Sequence, residues 1–235
     1  MRPFIPFGFS HWAVLLLTVL LSLLLAGLSR RYATARGERI IRYGLAALLI
    51  ADWAGLLLTF AAHGWIGIGT ILPMELCDWA TIACIVALIW PQPLPYALAY
   101  FWALGGTLQA LLGPGMVYDF PDAEFIVYFS FHALIMIAVL YLTLGIGLRP
   151  TPAILPRVIL WSLVYMASAG ATNWLLGTNY GFLRAKPTHP TLYDLMPDWP
   201  WYLPVVACVG LISIAIYYAP FFFIDVLKKP EARNS

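Results

Sequence analysis

The chain has 235 residues, of which 62% are hydrophobic and only 10% charged, with a formal net charge of +2 and a mean hydropathy of +0.84. A soluble domain carries about 25% charged residues, so this composition excludes a soluble enzyme and describes an integral membrane protein. The small net charge, with no basic run beyond one loop, excludes nucleic acid as a partner.

A membrane-spanning helix needs about 20 mostly apolar residues. Seven segments meet or approach that length in chain order: 11–29, 41–62, 74–90, 95–112, 125–144, 154–176 and 200–224. The first has only Arg2 before it and no A-x-A-like exit, which reads as a spanning helix and not a cleaved signal. Helix-stopping signals fall between segments at Pro91–Gln92–Pro93, Gly113–Pro114–Gly115 and Arg149–Pro150–Thr151–Pro152. The expected fold is an all-α, polytopic transmembrane bundle of about seven helices, forming a single transmembrane helical domain over 1–235.

Lys and Arg set the orientation. An alternating path gathers Arg30, Arg31, Arg36, Arg39, Arg42, Arg149, Arg157, Lys228, Lys229 and Arg233 on one side, and leaves only Arg2, Arg184 and Lys186 on the other. The N-terminus is therefore expected outside and the C-terminus in the cytosol, in a multi-pass protein of the cell inner (plasma) membrane. The acidic run Asp119, Asp122 and Glu124 then faces outward, as does the long segment Gly177–Trp199. Long loops of this kind are functional or disordered, and the Trp, Tyr and Pro content of this one predicts order. Trp199, Trp201 and Tyr202 read as an interfacial aromatic belt.

The third segment opens with Glu75, Cys77 and Asp78. Ionisable groups at membrane depth are costly and usually face a protein interior or a wet cavity, so the other helices are expected to close around this one. The same topology brings Glu75, Cys77, Asp78, Gln109, His132 and Asn173 into the outer half of the membrane, with Asp52 alone midway along the second segment. Gly105–Gly106 predicts a close backbone approach to the fourth helix.

Cys77 and His132 are the most chemically useful pair. A thiol becomes a nucleophile when a base takes its proton; Asp78 or Glu75 would orient the imidazole, and Asn173 or Gln109 would donate to an oxyanion. Arg184 and Lys186 would bind a phosphate head group, with Asn179 and Tyr180 of the same loop as further substrate contacts. The plainer readings are Cys77 as a small buried hydrophobe and His132 in an interhelical hydrogen bond. Cys84 and Cys208 read as packing, and His63 and His189 as wet surface residues. The cysteines lack metal-ligand spacing, and no metal or cofactor is expected.

The stretches LPMELCDWA, YFWALGGTLQALLGP, FPDAEFIVYFSFHA and NWLLGTNYGFLRAKPTHPTLYDLMPDWPWYL resemble the YwaF-type family of bacterial integral membrane proteins over about residues 63–204. That family is similar to a vertebrate transmembrane acyltransferase that remodels ether phospholipids, and more distantly to the androgen-induced family of membrane fatty-acid-ester hydrolases. The resemblance implies acyl transfer or ester hydrolysis on membrane lipids, with the acyltransferase's Cys–His pair falling on Cys77 and His132. Two other readings stay open. One is a small-solute or ion binding or transport protein with Glu75, Asp78 and His132 as ligands, although no paired broken helices or half-to-half repeat are visible. The other is an accessory membrane subunit without catalysis.

Overall fold

A computed structural model describes residues 2–31, 34–188 and 191–228; His189, Lys229 and Arg233 lie outside these described residues. The described residues form seven helices and no strand, with one isolated bridge between Pro3 and Tyr118. The helices are α1 (Phe9–Arg31), α2 (Ala35–Ala62), α3 (Leu76–Ile89), α4, α5 (Ala123–Leu140), α6 (Leu155–Leu176) and α7 (Tyr202–Lys228). Helix α4 is composite: α-helical over Pro93–Trp102, a π segment over Ala103–Thr107, then α-helical over Leu108–Leu112. A second π segment, Tyr141–Gly145, extends α5.

All seven expected segments are helices. Helices α1, α2, α5, α6 and α7 are long and apolar enough to cross a membrane. Helix α3 has 14 residues, about 21 Å at 1.5 Å per residue, which is short of the ~30 Å hydrocarbon core. It begins at Leu76 and not at 74, because Met74 and Glu75 belong to the preceding loop.

The local signals act where they stand. Thr34 caps α2 by accepting from Gly37 N–H at 3.0 Å, and Asp122 caps α5 by accepting from Glu124 N–H at 3.0 Å. Pro93 occupies the first turn of α4, where a missing N–H costs nothing.

The helix around which the others pack is α5, not α3. Of the most apolar stretch of α5, 61% is buried, against 22% for α1 and none for α7. Its neighbours are α1, α2, α3 and α4. Bulky apolar groups cover it: Phe125, Phe129, Phe131, Ile135, Met136 and Val139 are all buried. Helix α3 instead presents small residues, Ala80, Ala83, Cys84 and Ala87, to the interior, which lets α4 pack closely against it.

The two ends of the bundle differ. At one end, Arg42 on α2 donates to Leu88 O at the close of α3 (3.1 Å) and pairs with Glu38, while Arg149 pairs with Asp225 of α7. At the other end, Phe4 N–H meets Val117 O, Tyr180 Oη donates to Ile68 O, and Gly181 N–H donates to Glu75. The N-terminus and the α2–α3, α4–α5 and α6–α7 loops therefore share one end, as an alternating seven-helix path requires.

Candidate acyl-transfer site at the start of helix α3

Cys77 is the second residue of α3 and is half-buried. Its sulfur accepts a hydrogen bond from Thr107 Oγ1 at 3.6 Å. Thr107 is fully buried and closes the π segment of α4; such insertions are frequent at functional sites. The preceding Gly106 admits α3 at close range, since a Cβ there would meet the Leu76 side chain at 3.0 Å. Gly105 is exposed and has open space beside it, so one glycine of the pair makes the expected approach.

His132 is buried on α5, 8% exposed. Its Nδ1 lies 2.7 Å from Tyr128 O. A carbonyl only accepts, so Nδ1 carries the hydrogen and the neutral ring holds its lone pair on Nε2. The Tyr128 ring lies 4.3 Å from the His132 ring, its hydroxyl donates to Ala110 O at 3.0 Å, and it interacts electrostatically with Cys77. Tyr128 thus links histidine to thiol. Among the described residues no hydrogen bond joins Cys77 to His132 directly, and catalytic hydrogen bonds often tighten only when substrate binds.

The carboxylates do other work than orienting the imidazole. Asp78 Oδ2 accepts from Glu75 N–H at 2.9 Å and caps α3. Glu75 Oε2 accepts from Gly181 N–H at 3.0 Å and ties the α6–α7 loop to the start of α3. The acceptor that fixes the histidine is the Tyr128 carbonyl. Asp52, midway along α2, is bonded to Ser130 of α5, two residues before His132.

The residues expected to contact substrate divide in the same way. Asn173 is buried: Nδ2 donates to Tyr180 O (2.9 Å), and Oδ1 accepts from Tyr180 N–H (2.7 Å) and Thr178 Oγ1 (2.8 Å). It is a loop anchor with no donor left for an oxyanion. Asn179 Oδ1 accepts from the N–H groups of Arg184 and Ala185, both at 2.9 Å. Tyr180 is buried, donating to Ile68 O at 2.6 Å and accepting from Leu72 N–H at 3.2 Å. Arg184 donates to Asn173 O at 3.3 Å and Lys186 to Met196 O at 2.8 Å, with Asp198 3.6 Å from its Nζ. Gln109 is exposed on α4. Tyr202 departs from the expected aromatic belt. It is fully buried and its hydroxyl donates to Phe182 O, while Trp199 and Trp201 are exposed. The loop is ordered, as its composition predicts, by these bonds.

Three residues near Cys77 escape a reading of the sequence: Thr107, Tyr128 and Tyr165. Tyr165, on α6, is buried and meets Trp79 edge-on with ring centroids 5.5 Å apart. Thr107 follows a Gly pair and Tyr128 precedes His132 by one helical turn, which are signals in retrospect; Tyr165 offers none.

Among the described residues no group of three or more His, Cys, Asp or Glu could hold a metal ion. An open cleft of about 920 Å³ lies at the same end of the molecule, lined by Arg2, His63, Trp65, Tyr118, Asp119 and Glu124 among others; neither Cys77 nor His132 lines it.

No solved structure matches the chain. A protein of Treponema pallidum (strain Nichols), described as uncharacterized, is 27% identical over 217 residues, which cover 91% of this chain and 89% of the relative. A family model for the TMEM164 family matches residues 6–218 and so spans every helix that bears on Cys77 and His132. This multi-pass helical protein belongs to the TMEM164 family.

Proposed function

We propose that the protein is a membrane-embedded lipid acyltransferase or acyl-ester hydrolase. Cys77 is the nucleophile and His132 the base. His132 Nε2 takes the thiol proton, and the thiolate attacks the carbonyl carbon of a lipid ester. The ester C–O bond breaks, the leaving alcohol receives the proton back from the imidazolium, and the acyl group stays on sulfur as a thioester. A second lipid hydroxyl, or water, then loses its proton to Nε2, attacks the thioester and releases the thiolate. Each attack needs the reacting atoms about 3–3.5 Å apart.

The observation that carries this reading is the state of the histidine. Its Nδ1 is committed to the Tyr128 carbonyl, which leaves a base nitrogen on the helix that adjoins the thiol. The resemblance to the YwaF-type family and to the ether-phospholipid acyltransferase supports the same chemistry. Glu75 and Asp78 hold the loop and helix start that frame the site, which disfavours them as ion ligands. The basic end formed by α1–α2 and the loop before α6 faces the cytosol in this reading, so the site lies in the outer leaflet of the plasma membrane.

The test is turnover by purified protein in nanodiscs that contain a phospholipid with a labelled acyl chain, followed by mass spectrometry. Wild type is expected to move the label to another lipid or to free fatty acid, and Cys77→Ala to lose this. Full turnover by Cys77→Ala contradicts the mechanism.

A further inference from the structure

Tyr165 is 6% exposed, yet its hydroxyl has no hydrogen-bond partner among the described residues and its oxygen is shut off from solvent. Buried hydroxyls nearly always find a partner, so this one marks a place where the fold itself does not use a donor. The surroundings are specific. The ring stands edge-on to Trp79, which is edge-on in turn to Trp102 at 5.9 Å. The hydroxyl lies against Gly181, where an added Cβ would come within 2.5 Å of it. Gly181 has φ +61°, a conformation that favours glycine, and its N–H is held by Glu75. Glu75, Cys77 and Asp78 all lie within electrostatic range of the Tyr165 hydroxyl. An idle donor therefore stands beside the thiol, between apolar rings on one side and a polar loop on the other.

We infer that Tyr165 is a substrate-binding residue whose hydroxyl donates to the ester carbonyl of the lipid acyl group. The inference rests on the reading of Cys77 as the acyl-accepting nucleophile. An ester carbonyl is an acceptor that brings no competing donor, and its acyl chain matches the apolar wall of Trp79, Met166 and Leu76 packed around Tyr165. The residue selects acyl esters over lipids that lack a carbonyl.

The experiment compares a diester phosphatidylcholine with its diether analogue, which keeps the head group and chains but has no carbonyl. Binding of each to purified protein in detergent is read by native mass spectrometry, beside the Tm of each variant. Wild type is expected to prefer the diester by about 2- to 10-fold, the worth of one hydrogen bond. Tyr165→Phe is expected to bind both alike with its Tm unchanged or raised, because no bond within the protein is lost. No ester preference in wild type, a preference retained in Tyr165→Phe, or a lowered Tm in that variant each overturns the inference. The two readings fail separately. A protein that never acylates Cys77 but loses ester preference in Tyr165→Phe refutes the nucleophile and keeps the carbonyl site. One that acylates Cys77 with no ester preference does the reverse.

Discussion

Cys77 and Cys84 lie seven residues apart on α3, two turns along nearly the same stripe, and their surroundings differ completely. Cys84 is fully buried within the apolar core among small residues. Cys77 is half-buried, accepts from Thr107, and sits in the turn that Asp78 caps and Glu75 ties to an ordered loop. Residue type therefore does not make the site. What faces each sulfur does, and at Cys77 that is the π segment of α4 with its Gly106 and Thr107.

The contrast is broken most sharply by removing each thiol. Cys77→Ala should lower acyl turnover by more than about 10³-fold, the scale seen when a nucleophile is deleted, whereas Cys84→Ala should leave turnover within about threefold and act on Tm alone. His132→Ala should slow turnover by about 10²–10⁴-fold, the usual worth of a general base, with folding checked by helical content. Next in size is Asn173→Ala. It strands the Tyr180 backbone groups and the Thr178 hydroxyl, so a loss of about 2–4 kcal/mol is expected, read as a lower Tm and faster hydrogen exchange over 177–186. Thr107→Val keeps the shape and removes the bond to sulfur; the rate of Cys77 acylation should shift by about 2- to 10-fold. Smallest is Arg149→Ala at the opposite end of the bundle, where a partly exposed pair with Asp225 is worth no more than about 1 kcal/mol and turnover should not change.

Much of this was legible in the sequence. Apolar runs closed by Pro and Gly predict seven helices, and the Lys and Arg pattern predicts which loops share an end. The composition of the 177–199 loop predicts its order. The helix around which the bundle closes was not legible, because apolar residues on α5 and α7 look alike until packing buries one and leaves the other outside. The spacing of Glu75 and Asp78 fits two readings, a shared helical face and a helix cap; the boundary at Leu76 decides for the cap. Asn173 reads as an oxyanion donor until the loop seven residues on folds back to occupy it. Tyr165 is one of 13 tyrosines, and only its tertiary neighbours single it out.

The most direct measurement is the mass of the protein after incubation with a diester phospholipid, followed by peptide mapping and treatment with neutral hydroxylamine. The account predicts one acyl adduct on Cys77, removed by hydroxylamine as a thioester would be, and strongly reduced in His132→Ala. An adduct on Cys84 instead, or lipid turnover with no adduct passing through Cys77, would contradict it.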